Sequence, residues 1–405
     1  MKPTKMIFRI LCIALALALV ATVTCGCDET KDTASQSSVA SSSQTVSSIQ
    51  EEPKYGETTV DYLNKTRILG RFIPTTGGKG LFLSWTNSGF EFTFEGTAAY
   101  LKMMTVAGAS GSTLIGVFVD GEKTHSNCFG VDTNGLKTYP LIENLPEGKH
   151  TVKVLKLSEA RYNTLVINQL GIMGKNIAPT HAKERIIEYL GDSITCGHGS
   201  GASPEKATVH ELNTLEEDGS LTYCHLTSEH FNADERFVSY SGIGASFDAD
   251  GTTLPMCDLY QYTAGVQQKS KDNDEKEKWL DSKYYTPADA VVINLGTNES
   301  DERVGSAANF ERDYVKLLKS IRKINPKAAI ICTQGTMGAG RAQNIQNAIA
   351  TFQQQTGDKN VHFFLFSFTI SASNGTMACE HPSAKAHAMM ADELIAQMEQ
   401  ILGWK

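Results

Sequence analysis

The hydrophobic period of the chain changes once, near Ala178-Pro179, and that change constrains the fold more than any other feature. Upstream, apolar and polar residues alternate by twos, as in Phe90-Glu91-Phe92-Thr93-Phe94 and Lys149-His150-Thr151-Val152-Lys153-Val154. Gly116-Val117-Phe118-Val119 runs into an Asp120-Gly121 turn, and Pro146-Glu147-Gly148 marks another. Period two, frequent turns and no convincing helical stripe predict an antiparallel β-sandwich over residues 56–178, with a strand count that suits a jelly roll. Downstream, the apolar runs 186–190, 237–240, 290–295, 329–332 and 363–366 have the character of strands buried on both faces. Between and after them lie helical stripes: Phe310, Tyr314, Leu317, Leu318 and Ile321, then Met390, Leu394, Ile395 and Met398. Buried strands alternating with helices predict a three-layer α/β domain with a parallel sheet over residues 179–405.

The first 27 residues follow a different logic. Lys2, Lys5 and Arg9 precede an apolar stretch, 10–23, that falls short of the roughly 20 residues a membrane span needs. It ends in Thr24-Cys25-Gly26-Cys27, so residues 1–27 are expected to be a lipoprotein-type export signal with Cys27 as the lipidated residue. Thr24 stands where such boxes usually carry Leu, and Cys25 competes as acceptor. Residues 28–55 hold eight serines between Lys31 and Gln50 and almost no large apolar side chains, which predicts a disordered tether. The expected location is therefore the cell surface, or the medium if the anchor is absent, with membrane contact through the lipid alone.

Charge excludes one class of partner. The 37 Lys+Arg face 45 Asp+Glu; the signal holds three of the bases and no acid, so 34 bases face 45 acids in the remainder, a net −11. A body that acidic, with no basic stripe, does not bind nucleic acid. The body cysteines Cys128, Cys196, Cys224, Cys257, Cys332 and Cys379 form no C-x-x-C pair, so no metal knuckle is expected, and both disulfides and free thiols stay open.

The chemistry collects at strand ends. The run 186–190 leads directly into Gly191-Asp192-Ser193, a turn that aims a serine Oγ outward with its N–H at a helix N-terminus. An N-cap serine is the competing reading. Ser239-Tyr240-Ser241-Gly242-Ile243-Gly244 and Gly296-Thr297-Asn298-Glu299 follow two later runs, and His381-Pro382-Ser383 precedes the last helix. Glycine lets a backbone N–H approach a substrate, and Asn supplies an amide donor. Nucleophile, oxyanion donors and base at successive strand ends form an acyl-transfer set.

In this order, Gly191-Asp192-Ser193, Gly242, Gly296-x-Asn298 and His381 resemble the four sequence blocks of the SGNH (GDSL-type) hydrolases. A second resemblance reaches upstream. Gly70-Arg71-Phe72, the segment 83–97, Lys156-Leu157-Ser158-Glu159-Ala160 and the segment 239–244 are similar to carbohydrate esterase family 2, whose members carry an N-terminal jelly roll and deacetylate wall polysaccharides such as xylan and glucomannan. The resemblance implies a serine esterase for acetylated carbohydrate, without metal or cofactor. Ser193 would be nucleophile and His381 general base, with the N–H groups of Ser193 and Gly242 and the amide of Asn298 as the oxyanion hole. Asp192 reads as a turn organiser.

Peptidoglycan or small acyl esters are alternative substrates, and a non-catalytic carbohydrate-binding surface protein is the alternative class. The chain departs from the superfamily at Ala378, where members usually carry an Asp three residues before the His. Some members of carbohydrate esterase family 2 orient the His with a backbone carbonyl, so the resemblance implies a Ser193–His381 dyad with a main-chain oxygen orienting the imidazole, Glu380 being the alternative partner. His387 reads as packing or solvent-facing, and His198, His225 and His230 as surface histidines. Cys196 reads as inert packing, the run 269–278 as a solvated charged segment, and Trp85 as core before sugar platform. Trp279 is the second possible sugar platform.

Overall fold

The computed structural model describes residues 53–75, 78–107, 111–132, 135–209, 213–247, 254–264 and 277–405. The export signal with Cys25 and Cys27, nearly all of the tether, and most of the charged run 269–278 lie outside the described residues.

Ten strands of the N-terminal half join one antiparallel sheet that folds over its own core. Its longest members are β1 (Ser88–Ala107) and β4 (Asn163–Pro179), which pair along most of their length. On its other edge β1 takes β3 (Gly148–Lys156) at residues 88–96 and the strand Lys137–Ile142 at 99–103. β2 (Thr113–Val119) extends the sheet beyond β3. The alternation seen in sequence becomes burial: Phe90, Phe92 and Phe94 point into the core while Glu91 and Thr93 are half-buried. β2 departs from alternation, being buried throughout, because its second face is covered too. Phe118 on that face lies 6.4 Å, centroid to centroid, from the ring of His225 in the α/β half.

The second half is a parallel sheet of five strands, β5 (Arg185–Gly191), β6 (Ala233–Ser239), β7 (Ala290–Asn294), β8 (Ala329–Thr336) and β9 (Val361–Thr369), in the order β6-β5-β7-β8-β9. Among its helices are α1 (Ser193–Cys196), α2 (Tyr223–His230), α3 (Ala307–Ile324), α4 (Ala342–Thr356) and α5 (Ala384–Leu402). Val291, Ile293 and Ile330 pack toward Phe310, Tyr314 and Leu318 of α3 and Ile345 of α4. The intervening Ala290, Val292 and Ile331 pack toward Tyr223 of α2 and Met390, Leu394 and Met398 of α5. Both faces are apolar, which is why β7 reads as an uninterrupted hydrophobic run. Each Val, Leu, Ile, Phe or Met among these contributes roughly 1.5–3 kcal/mol on burial. β9 departs from the expectation of a strand buried on both faces: it lies at the sheet edge, and Leu365 is 43% exposed.

The two halves share a buried ionic contact. Arg71 donates to Glu188 Oε1 of β5 at 3.1 Å and to the carbonyls of Tyr260 and Tyr262, at 2.7 and 2.8 Å. Arg236 holds the other carboxylate oxygen at 3.2 Å, and both Arg71 and Glu188 side chains are fully buried. Trp85 is core, its Nε1–H donating to Thr263 O at 2.9 Å. Trp279 is equally buried, with the guanidinium groups of Arg71 and Arg236 5.5 and 5.0 Å from its ring centroid. Neither tryptophan offers a face to a sugar. The six body cysteines are free thiols.

Candidate active site

In the order β6-β5-β7 the chain reverses direction across the sheet between β5 and β7, and at such a point the loops leaving the strand ends diverge and open a crevice. Gly191 ends β5 there. A Cβ on it would lie 2.0 Å from Thr195 Oγ1, so only glycine lets the strand turn this tightly into α1.

Asp192 is the N-cap of α1, its Oδ1 accepting from Ile194 N at 3.0 Å. Ser193 is therefore the first helical residue and not the cap, which settles the competing reading of that serine. Its Oγ turns to His381 Nε2, 2.9 Å away. The opposite ring nitrogen, Nδ1, lies 2.9 Å from the carbonyl oxygen of Cys379. A carbonyl only accepts, so Nδ1 carries the proton, Nε2 is the bare acceptor, and the Ser193 hydroxyl donates to it.

The carbonyl is aimed by a very small device. Met377–Ala378 and His381–Pro382 pair antiparallel, which leaves Cys379 and Glu380 as a two-residue hairpin loop. Both loop residues have positive φ, 47° and 59°, the signature of a type I′ turn usually filled by Asn-Gly. The turn is pinned from outside by Cys379 N donating to Lys206 O at 3.0 Å and Glu380 N donating to Ala207 O at 2.8 Å. Glu380 itself is exposed. Ser383 then caps α5, accepting from Ala386 N at 3.4 Å, so the hairpin hands His381 directly to a rigid helix.

Gly242 has φ +81°, a conformation open to glycine, and neither its N–H nor that of Ser193 has a hydrogen-bond partner among the described residues. The Asn298 amide reaches the same neighbourhood, but its Nδ2 donates to Ile243 O at 3.0 Å and, more weakly, to Asp192 Oδ2 at 3.3 Å. Asp192 is fully buried; burial, with the Glu299 carboxylate adding to it, pushes its carboxyl up to about 7. Burial likewise pushes Glu299 up to about 7.

Three residues of the site were not legible as such. His198 is half-buried and its ring lies 4.2 Å, centroid to centroid, from that of His381, tilted by 47°; nothing in its spacing signals this. Glu159 is buried and accepts from Ser241 N at 2.8 Å, beside Gly242. Its signal was the segment 156–160, which stood out by resemblance without a role. Glu217 packs beside Glu159 and had no sequence signal. His387 is fully buried and neutral, burial pushing its imidazole down to about 3, with Nδ1 accepting from Tyr223 N. His225 is no surface residue either, being buried against Glu235 at 2.9 Å, whereas His230 is exposed.

A serine hydroxyl bonded to a singly protonated imidazole, at the ligand-binding end of a doubly wound parallel sheet, defines the class as an α/β serine hydrolase. The GDSL-like Lipase/Acylhydrolase family matches residues 187–394, just over half of the chain, and the Carbohydrate esterase 2 N-terminal family matches residues 68–180. This chain belongs to the GDSL-like lipase/acylhydrolases and within them resembles the family 2 carbohydrate esterases. It is 29% identical over 332 residues to the Cellulase/esterase CelE of Acetivibrio thermocellus, covering 79% of this chain but 38% of that one. It is 26% identical over 351 residues to an acetylxylan esterase / glucomannan deacetylase of Cellvibrio japonicus, covering 85% and 89%. A family two carbohydrate esterase from Clostridium thermocellum, solved in complex with cellohexaose, superposes with a TM-score of 0.72 at 27% identity, covering 84% of this chain and all of that one.

Proposed function

We propose that this protein is a serine esterase that removes O-acetyl groups from plant-wall polysaccharide such as xylan or glucomannan. The observation that carries the reading is the pair of 2.9 Å contacts at His381, one to Ser193 Oγ and one to Cys379 O. Two relatives named acetylxylan esterase / glucomannan deacetylase support the substrate class.

The geometry suits a two-step acyl transfer. Ser193 Oγ attacks the acetyl carbonyl carbon while His381 Nε2 takes the hydroxyl proton, and the Cys379 carbonyl stabilises the imidazolium so formed. The negative oxygen of the tetrahedral intermediate is received by the Ser193 and Gly242 N–H groups. Asn298 joins them by exchanging its long bond to Asp192 for one to the oxyanion. Collapse expels the sugar hydroxyl, protonated by His381, and leaves acetyl-Ser193. Water activated by the same imidazole then releases acetate.

The N-terminal segment supports export with lipidation at Cys27, and so a cell-surface location. Acetate release from acetylated xylan, glucomannan and peptidoglycan, measured in parallel with a chromogenic acetate ester, tests the function. Faster turnover of the plant polymers is expected; preference for peptidoglycan overturns the substrate, and no turnover of any ester overturns the enzyme. Membrane fractionation of wild type against Cys27→Ala tests the anchor, and wild-type protein free in the medium with an unmodified N-terminus overturns it.

A further inference from the structure

Beneath the nucleophile lies a cluster that the acyl-transfer mechanism does not use. Glu159 follows β3, Cys196 closes α1, and Glu217 stands in the loop before α2; all three are fully buried. One acceptor atom from each lies within 4.8 Å of the others.

Two of the four oxygens of this pair of carboxyls have donors. Glu159 Oε2 accepts from Ser241 N at 2.8 Å and from the Cys196 thiol at 3.6 Å. Glu217 Oε1 accepts from the backbone N of Glu159 at 3.2 Å. One oxygen is left on each side, Glu159 Oε1 and Glu217 Oε2, and neither has a hydrogen-bond partner among the described residues. Lys156 does not fill the gap: its ammonium is spent on the main-chain oxygens of Ser158 and Glu159. Two ionised carboxylates buried within 4.8 Å of one another would repel strongly, and a single proton on the pair removes one of the two charges.

We propose that Glu159 and Glu217 hold one proton between them, on Glu217, and that the pair positions the oxyanion site. This rests on the esterase reading above. Glu159, kept as the acceptor, ties the N–H of Ser241 and the thiol at the end of α1 to one carboxylate. It thereby sets the turn presenting Gly242 N–H relative to the helix presenting Ser193 N–H. Glu159 and Glu217 are positioning residues, since neither reaches the substrate. Burial pushes both carboxyls up, Glu217 further, and pushes the Cys196 thiol up so that it stays a donor. The other charged or titratable groups facing the pair are Lys156, Arg161 and Tyr162. Of these, Arg161 donates to Ser241 O at 3.4 Å, on the same turn.

Two measurements on the purified full chain test this. The infrared difference spectrum of wild type minus Glu217→Gln at neutral pH should show the carbonyl stretch of a protonated carboxylic acid. Its absence, or a stoichiometric metal ion found by elemental analysis, overturns the shared proton. In kinetics on a chromogenic acetate ester, Glu159→Ala should lower kcat by about tenfold or more with KM little changed, as expected when oxyanion donors are misaligned. Glu159→Gln, which keeps an oxygen to accept from Ser241 and removes the charge, should recover kcat to within about threefold. A Gln variant as impaired as the Ala variant, or an Ala variant with unchanged kcat, overturns the positioning role. If Glu159→Ala does not fold, Glu159→Gln and the infrared band decide. If the esterase reading itself fails, no form of the protein turns over, and the infrared band still reads the pair.

Discussion

The orientation of His381 by a main-chain oxygen makes a sharp claim about Glu380, the carboxylate next to it in sequence. In a triad the acid accepts the Nδ1 proton, and removing it costs about ten-thousandfold in kcat, or ~5.5 kcal/mol. Here Nδ1–H is already bonded to Cys379 O at 2.9 Å, and Glu380 is exposed to water. All that Glu380 can then add is a screened attraction to the imidazolium. Even at 4 Å, through water, that amounts to about 1 kcal/mol. Glu380→Gln should therefore lower kcat by less than about tenfold, ~1.4 kcal/mol. Ser193→Ala and His381→Ala should each abolish turnover, since each removes a group that handles the transferred proton or acyl group. The assay is steady-state hydrolysis of a chromogenic acetate ester, with circular dichroism to confirm that each variant is folded. A folded Glu380→Gln protein that has lost several orders of magnitude would make Glu380 the third triad member and refute the dyad. Cys379→Ala belongs to the same series and should be mild, because the residue contributes its carbonyl and not its thiol.

The other expectations concern the oxyanion hole, the contact between the halves and a buried acid. Asn298→Ala should lower kcat by about a hundredfold, ~3 kcal/mol, with KM nearly unchanged; an unchanged kcat in steady-state kinetics removes Asn298 from the site. Arg71→Met should destabilise the fold by about 3 kcal/mol in urea unfolding, because Glu188 is fully buried and keeps only Arg236 as a charged partner. Glu299 binds its proton more tightly when folded, up to about 7, so the stability it contributes is complete below pH ~4.5 and is lost as pH rises toward 7. Glu299→Gln should flatten that fall, by an amount on the order of 3 kcal/mol at most, and wild-type and mutant unfolding curves that stay parallel across the window contradict it.

The fold was legible because its signals are periodic and local. Phe90, Phe92 and Phe94 announce a half-buried strand by alternation, and Phe310, Tyr314 and Leu318 announce one face of a helix by spacing. β9 departs from its sequence signal for the same reason: Phe363-Phe364-Leu365-Phe366 is as apolar as a central strand, and only the sheet order places it at an edge. Within the site, the residues of the short motifs stood out, and the fold brings Ser193 and His381 into contact. Residues that act through a neighbour did not stand out. His198 reaches His381 because α1 is one turn long, and Glu159 meets Ser241 across 82 residues of chain. No local pattern encodes either distance.

A backbone carbonyl can stand in for the missing Asp only if the turn that carries it is held still. Two consecutive non-glycine residues in the left-handed region cost roughly 1–2 kcal/mol each, so the Cys379-Glu380 turn would open if left to itself. Its restraints come from one direction. Lys206 O and Ala207 O take its two N–H groups, and a Cβ on Gly199 would lie 2.7 Å from Ala378 O, so the hairpin rests against segment 199–207. That segment continues from α1, which carries Ser193 at its first position, and passes through His198, whose N–H donates to Ser193 O at 3.0 Å and whose ring lies against His381. Residues 191–207 thus supply the proposed nucleophile, its cap, the wall behind the proposed base and the anchor that aims it. Ser193 and His381, 188 residues apart in sequence, are brought to 2.9 Å by a single short stretch. Where a triad orients its imidazole with a buried charge, this site does so by packing around a strained turn.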